Sequence, residues 1–240
     1  MQATSGSLLA GRVRYAQPDA GFRSGIEPVL LAAAVPARSG DRVLEVGSGA
    51  GAALLCLASR IPGVGGVGVE RDAGLVELAR CNAAANSLGG LVFVAADIAA
   101  AGSIGEFDHA CANPPYHPTT GTASSDAGRN AAKRGPPGLL AVWALAMGQR
   151  LRQRGTLTLI LSSAAIPAGL AALDAAGCRP ASLLPLWPRR GEAAKLVLLR
   201  GVRGARAPLR LLTGLTLHGD DGGFTAEADA VLREGAPLAL

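Results

Sequence analysis

The tetrapeptide Asn113-Pro114-Pro115-Tyr116 carries groups suited to holding a planar amine. The Asn113 carboxamide oxygen can accept a hydrogen bond from an exocyclic N–H. Pro114 has no N–H, so the backbone there offers carbonyls only. The Tyr116 ring can stack on a flat π-system such as a nucleobase. Taken alone the tetrapeptide also reads as a turn, since Asn-Pro pairs mark turns. Its position in the chain adds the chemistry.

Upstream lies a glycine-rich loop, Glu45-Val46-Gly47-Ser48-Gly49-Ala50-Gly51. It follows the strand-like run 42–44 and opens an apolar helical stretch, the context a cofactor loop requires. Its Gly-x-Gly-x-Gly spacing is neither the Gly-x-Gly-x-x-Gly of dinucleotide binders nor a P-loop, which would end in Gly-Lys-Ser/Thr. The acidic Glu45 at its head suits a cationic ligand better than a pyrophosphate. Two further acids fall where strands should end. Glu70, followed by Arg71, closes 65–69, and a carboxylate there can take both hydroxyls of a ribose. Asp97 closes 91–96 and can accept from an adenine amine, with Ile98 packing on the ring.

These residues need a scaffold that brings strand ends together. Strand patterns fall at 42–46, 65–69, 91–95, 107–112, 156–161, 182–187 and 195–200. Helical patterns fall at 51–60, 72–86, 137–152 and 164–176, with a further helix over 28–35 opened by Pro28. Short apolar runs alternating with helices predict βαβ units and a mostly parallel sheet buried on both faces. The last two strands have no helix between them and predict a C-terminal antiparallel hairpin. The expected fold is therefore α/β and Rossmann-like, with seven strands and helices on both faces. In such a sheet a ligand lies beyond the C-terminal strand ends, where Gly47, Glu70, Asp97 and Asn113 all fall. Residues 1–40 are expected to form an N-terminal arm or hairpin and a helix, 41–205 the core, and 206–240 an extension, all in one domain of 240 residues. The segment 117–136 lacks apolar periodicity and is expected to be a lid or binding loop.

The net charge is +5, from 23 basic and 18 acidic residues, nearly all the basic ones Arg. Arginine suits phosphate recognition, but so mild an excess permits nucleic-acid binding without requiring it. Cys56, Cys81, Cys111 and Cys178 show no zinc spacing and read as buried thiols of a cytoplasmic protein. The start of the chain lacks a basic-then-apolar signal pattern. The most apolar stretch, 156–173, is interrupted by Ser162, Ser163 and Pro167, so no membrane span is expected.

Glu45 to Gly51, Glu70, Asp97 and Asn113 to Tyr116 resemble the motifs of class I S-adenosylmethionine methyltransferases acting on exocyclic or amide nitrogen. Three more segments resemble the bacterial tRNA(Val) adenine-N6 methyltransferase family: 17–31, 189–198 and 217–227. The resemblance implies S-adenosylmethionine as cofactor, held by Glu45, Gly47, Ser48, Gly49, Gly51, Glu70, Arg71, Asp97, Ile98 and Asn113. It implies that Asn113, Pro114, Pro115 and Tyr116 form the catalytic turn, with no metal. Phe22, Arg23, Tyr116, Arg134, Arg189 and Arg190 are the implied substrate contacts, and tRNA the implied partner of a monomer or homodimer. A target adenine in a single-stranded loop is cheaply unstacked.

The same tetrapeptide serves enzymes that methylate a protein glutamine amide, DNA adenine or ribosomal RNA guanine. A cofactor-binding subunit without catalysis is a further alternative. The glutamine and DNA readings usually come with an additional domain, which favours a structured RNA or a small substrate for a small chain. His117 is nearby, but the chemistry demands no general base.

Overall fold

The computed structural model describes residues 2–20, 24–115 and 138–240. Phe22, Arg23, Tyr116, His117 and Arg134, singled out above, lie outside the described residues, as does the segment expected to form a lid.

The chain opens with a two-stranded hairpin, β1 (Ala3–Leu8) and β2 (Val13–Pro18). Alternation along β2 turns Val13 and Tyr15 into the core and Arg14 to solvent. Helix α1 (Glu27–Ala34) follows, with Pro28 in its first turn and Pro28 to Ala34 all buried. The core then alternates strand and helix: β3 (Arg42–Val46), α2 (Ala52–Arg60), β4 (Gly65–Glu70), α3 (Ala73–Ala85), β5 (Leu91–Ala95) and β6 (Phe107–Ala112). After the undescribed segment come α4 (Leu139–Arg150), β7 (Leu151–Ser162), α5 (Ile166–Ala175), β8 (Cys178–Arg189) and β9 (Leu196–Arg203). The last part of the chain supplies β10 (Arg210–Leu211), β11 (Leu215–His218) and the short helix α6 (Ala226–Asp229), capped by Thr225.

Strand order in the main sheet is β10-β8-β9-β7-β6-β3-β4-β5, with β11 also on β8. Strands β3 to β7 are mutually parallel, and β9 runs antiparallel between β7 and β8. The expected parallel sheet and terminal antiparallel hairpin are both present. The expected seven strands become nine among the described residues, because β10 and β11 pair with the outer edge of β8. Two and four residues are too few to show a period in the sequence; the free edge of β8 gives them their partners.

Side chains alternate across the sheet into two cores. Val43, Cys111 and Ile160 point towards α1, α2, α3 and the hairpin, while Leu44, Val46, Ala110 and Leu159 point towards α4 and α5. Two arginines close the C-terminal end of α1, where cations are favoured. Arg60 donates to the Ala32 and Val35 carbonyls at 2.9 and 3.1 Å, and Arg200 donates to the Ala34 carbonyl and the Leu240 oxygen. Burial lowers the Arg200 pKa to about 10, so it remains charged at neutral pH. Two arginines of a basic chain thus serve packing. Cysteines 56, 111 and 178 are buried as expected, but Cys81 is exposed on the outer side of α3. An apolar sequence neighbourhood does not say which face of a helix a thiol takes.

Candidate functional site at the strand ends

Register brings the separated motifs together. Val46 pairs with Ala112 on one side and Val69 on the other, and Glu70 pairs with Ala95. Adjacent parallel strands lie about 4.8 Å apart. Asn113 therefore emerges next to Gly47, with Glu70 and the Ala96–Asp97 turn following in the same row.

The loop is shaped by β4 and α2. The Gly47 and Ser48 amides donate to the Val69 carbonyl at 2.8 and 3.3 Å, and the Gly51 amide closes a turn on Ser48 at 2.8 Å. Gly47 has φ +72, and a Cβ there would come within 2.5 Å of the Trp143 ring. Gly51 has φ +89 and would meet Phe93 at 2.9 Å. Left-handed backbone and close ring contact both require glycine at these two positions. The Gly49 amide donates to the Glu70 carboxylate at 3.1 Å, and the Asp72 amide to its other oxygen at 3.0 Å. Each oxygen retains a lone pair for a further donor such as a diol. The Ser48 hydroxyl is buried and has no partner. An orphaned hydroxyl, open glycine backbone and a tethered carboxylate fit a ligand combining a polar chain with a ribose.

Glu45 lies beneath the loop, only 3% exposed. Its carboxylate accepts from the Leu54 amide at 3.3 Å, in the first turn of α2. Tyr15, Cys56 and Cys111 surround it, and the ionised forms of all three are disfavoured by burial and by Glu45. Burial pushes the Glu45 pKa up from 4.5 to about 8, opposed by the Leu54 amide and reinforced by Glu70. The folded protein therefore keeps a proton that the unfolded chain releases above pH 4.5. Stability contributed by this group is full below that value and is lost as pH rises to about 8. Glu45→Gln is expected to remove this loss. Its Tm should exceed wild type progressively from pH 5 to 8, by more than the roughly 2–4 °C that 1 kcal/mol produces in a domain this size. Parallel melting curves of the two proteins across that range would contradict it.

Asp97 is exposed, its carboxylate accepting from the Ala99 amide at 2.9 Å, while Ile98 is buried in the core on the α4–α5 side of the sheet. Arg71 is exposed beside Glu70. Asn113 is half-buried, Pro114 buried and Pro115 half-buried. Arg189 ends β8 and Arg190 follows it; β8 runs parallel to β7, so both lie on the same sheet edge as Asn113, three strands away. Arg189 pairs with Glu192 at 3.3 Å, and Arg190 is exposed.

Three contributors escape a reading of the sequence. Trp143 on α4 forms a wall against Gly47. Asn82 on α3 is 3% exposed and joins the hairpin to the loop: its amide nitrogen donates to the Ala16 and Ala50 carbonyls, and its oxygen accepts from the Ala16 amide. The Tyr15 hydroxyl, within electrostatic reach of Glu45, hydrogen-bonds Ser24 at 2.8 Å. Asn82 had a signal, a polar residue on the buried stripe with Ala79 and Ala83; the other two had none. Among the described residues no group of three or more His, Cys, Asp or Glu is placed to hold a metal, and no helix is long and apolar enough to cross a membrane.

Residues 26–134 match the methyltransferase small domain family. Two curated proteins are similar over part of the chain, both release factor glutamine methyltransferases. The one from Rhodospirillum rubrum is 38% identical over 85 residues, 35% of this chain and 26% of that protein. The one from Bradyrhizobium diazoefficiens is 42% identical over 79 residues, 32% of this chain and 26% of that protein. The chain thus spans about a quarter of the length of these relatives. Among solved structures, Atu636 from Agrobacterium tumefaciens, described as a predicted O-methyltransferase, superposes with TM-score 0.72 at 23% identity. The match covers 88% of this chain and 97% of that one. The fold also matches a geranyl diphosphate methyltransferase solved with sinefungin, with TM-score 0.53 at 14% identity over 74% of this chain and 76% of that one. The fold is the Rossmann-like fold of S-adenosylmethionine-dependent methyltransferases.

Proposed function

We propose that the protein is an S-adenosylmethionine-dependent N-methyltransferase acting on the exocyclic N6 amine of an adenine in tRNA. The observation that carries the reading is the register placing Asn113 beside Gly47, in one row with Glu70 and the Asp97 turn. When bound, the cofactor supplies an electrophilic methyl group on a sulfonium. Gly47, Ser48 and Gly49 hold its methionine part, Glu70 its ribose hydroxyls, and Asp97 with Ile98 its adenine. The Glu70 and Asp97 carboxylates complement the positive charge, while Glu45, buried and protonated, does not.

The Asn113 side-chain oxygen and the Pro114 carbonyl accept the two hydrogens of the target amine, and Tyr116 stacks on its base. An aromatic amine has its lone pair delocalised into the ring. Two acceptors favour a more tetrahedral nitrogen and aim that lone pair at the methyl. This is positioning and electrostatics, with no nucleophile of the protein's own. The product ammonium is acidic enough to lose its proton afterwards.

The tRNA substrate is supported by the likeness of 17–31, 189–198 and 217–227 to the adenine-N6 family and by Arg189 and Arg190 on the site's edge. A second reading, methylation of a protein glutamine amide, is supported by the two curated relatives. Its planar NH2 would use the same acceptors. Separate pools of unmodified tRNA, ribosomal RNA and release-factor protein, each incubated with tritiated S-adenosylmethionine, decide between them. Label in tRNA is expected. Label confined to release factor would replace the first reading with the second.

A further inference from the structure

The edge of the sheet remote from the site also carries a built feature. β7 pairs Leu151 with Phe107 and then Thr156 with His109, so residues 152–155 bulge outward opposite Asp108. Within this bulge Arg154 holds φ +70. Left-handed backbone costs a residue with a Cβ about 1–2 kcal/mol, and glycine would avoid it. A second turn, 202–205, closed by the Ala205 amide on the Val202 carbonyl, ends β9. Gly204 there has φ +68, and a Cβ would collide with the Gln153 carboxamide, so the two turns pack against each other. Arg179 stands at the start of β8, paired with Val202.

Arg154, Arg179 and Arg206 are exposed and have no acidic partner among the described residues. The acids of this edge are partly committed elsewhere. Asp41 accepts from the Arg38 amide and lies 3.2 Å from the His109 ring, while Asp108 accepts from the Arg42 amide and from Arg152. Glu106 and Asp174 are the exposed remainder. From β8 through β9 to β7 these three arginines span two inter-strand spacings, about 10 Å. The cations are arginines, whose forked donors match phosphate bidentately. A linear polyanion fits such a row.

We propose that this edge, bearing Arg154, Arg179 and Arg206, is a second binding surface that takes the phosphate backbone of RNA. It extends the RNA reading of the active site and rests on it only for the choice of polyanion. It lies about 17 Å from the Gly47 row along β3, so its contacts add affinity without touching the reacting atoms.

The test is binding of labelled tRNA, measured by anisotropy across a potassium chloride series, for wild type and for Arg154→Gly/Arg179→Ala/Arg206→Ala. Losing three phosphate contacts should lower affinity at least ~10-fold at low salt. It should also flatten the slope of log K against log salt by about 2–3. The S-adenosylmethionine affinity should be unchanged, and the Tm should not fall, since Arg154→Gly relieves the left-handed backbone. Equal affinity and slope for the two proteins would overturn the proposal, as would a defect seen only with an acidic polypeptide such as polyglutamate. Salt-dependent RNA binding lost in the variant, with no methylation of RNA by wild type, would uphold the surface and reject the substrate reading instead.

Discussion

Asn113→Ala is expected to lower the methylation rate about 10²–10³-fold, the cost of removing one preorganised partner of a developing charge, about 3–4 kcal/mol. The side chain is half-buried at the end of β6, and truncation there leaves the β3–β6 pairing, which ends at Ala112, untouched. The Tm should therefore stay within a degree or two of wild type. Cofactor affinity should change only a few-fold, because the Gly47–Gly49 backbone and Glu70 remain. A fall in kcat with an unchanged cofactor Kd marks an interaction made in the transition state. Near-full turnover by a folded variant would remove Asn113 from the chemistry.

Gly47→Ala is the second large effect, and it acts on binding. Gly47 combines φ +72 with the Trp143 ring 2.5 Å from where a Cβ would stand. Its amide also anchors the loop to Val69 at 2.8 Å. The new methyl group must displace the indole or rotate the loop. Either change moves Ser48 and the Gly49 amide, and with it the bond to Glu70. Left-handed strain alone costs about 1–2 kcal/mol, and the steric term adds to it. Calorimetry should show S-adenosylmethionine affinity lowered at least ~100-fold, with a Tm several degrees lower. Trp143→Ala in the same protein should recover part of the affinity by vacating the space. An unchanged Kd in the single variant would mean that this loop does not hold the cofactor.

Much of this fold was legible because a parallel sheet buried on both faces writes continuous apolar runs, and the helices between them write a 3.6 period. The run Leu91 to Ala95 and the helix Ala73 to Ala85 lie within a residue of where the patterns put them. The site followed from the same logic: Gly47, Glu70, Asp97 and Asn113 sit at consecutive strand ends, and the rule for ligand position in such sheets collects them. Contacts set by tertiary placement were not legible. Trp143 meets Gly47 only because α4 crosses that end of the sheet. Nothing in the sequence separates Arg200 from the other arginines of a basic chain, yet it is buried and caps the end of α1. β10 and β11 are strands through pairing with β8 and not through their own residues. The buried Glu45 shows a middle case, since its position in the loop motif was visible and its retention of a proton was not.

The methyl group is expected to reach a planar nitrogen held at the Asn113 turn. The most direct measurement digests product labelled by wild type and by Asn113→Ala and identifies the methylated atom by mass spectrometry. N6-methyladenosine from tRNA is expected in the wild-type reaction, with a loss of at least ~100-fold in its rate of formation in the variant. A methyl group recovered on oxygen or carbon, or an N-methyl product formed equally well by Asn113→Ala, would contradict this expectation.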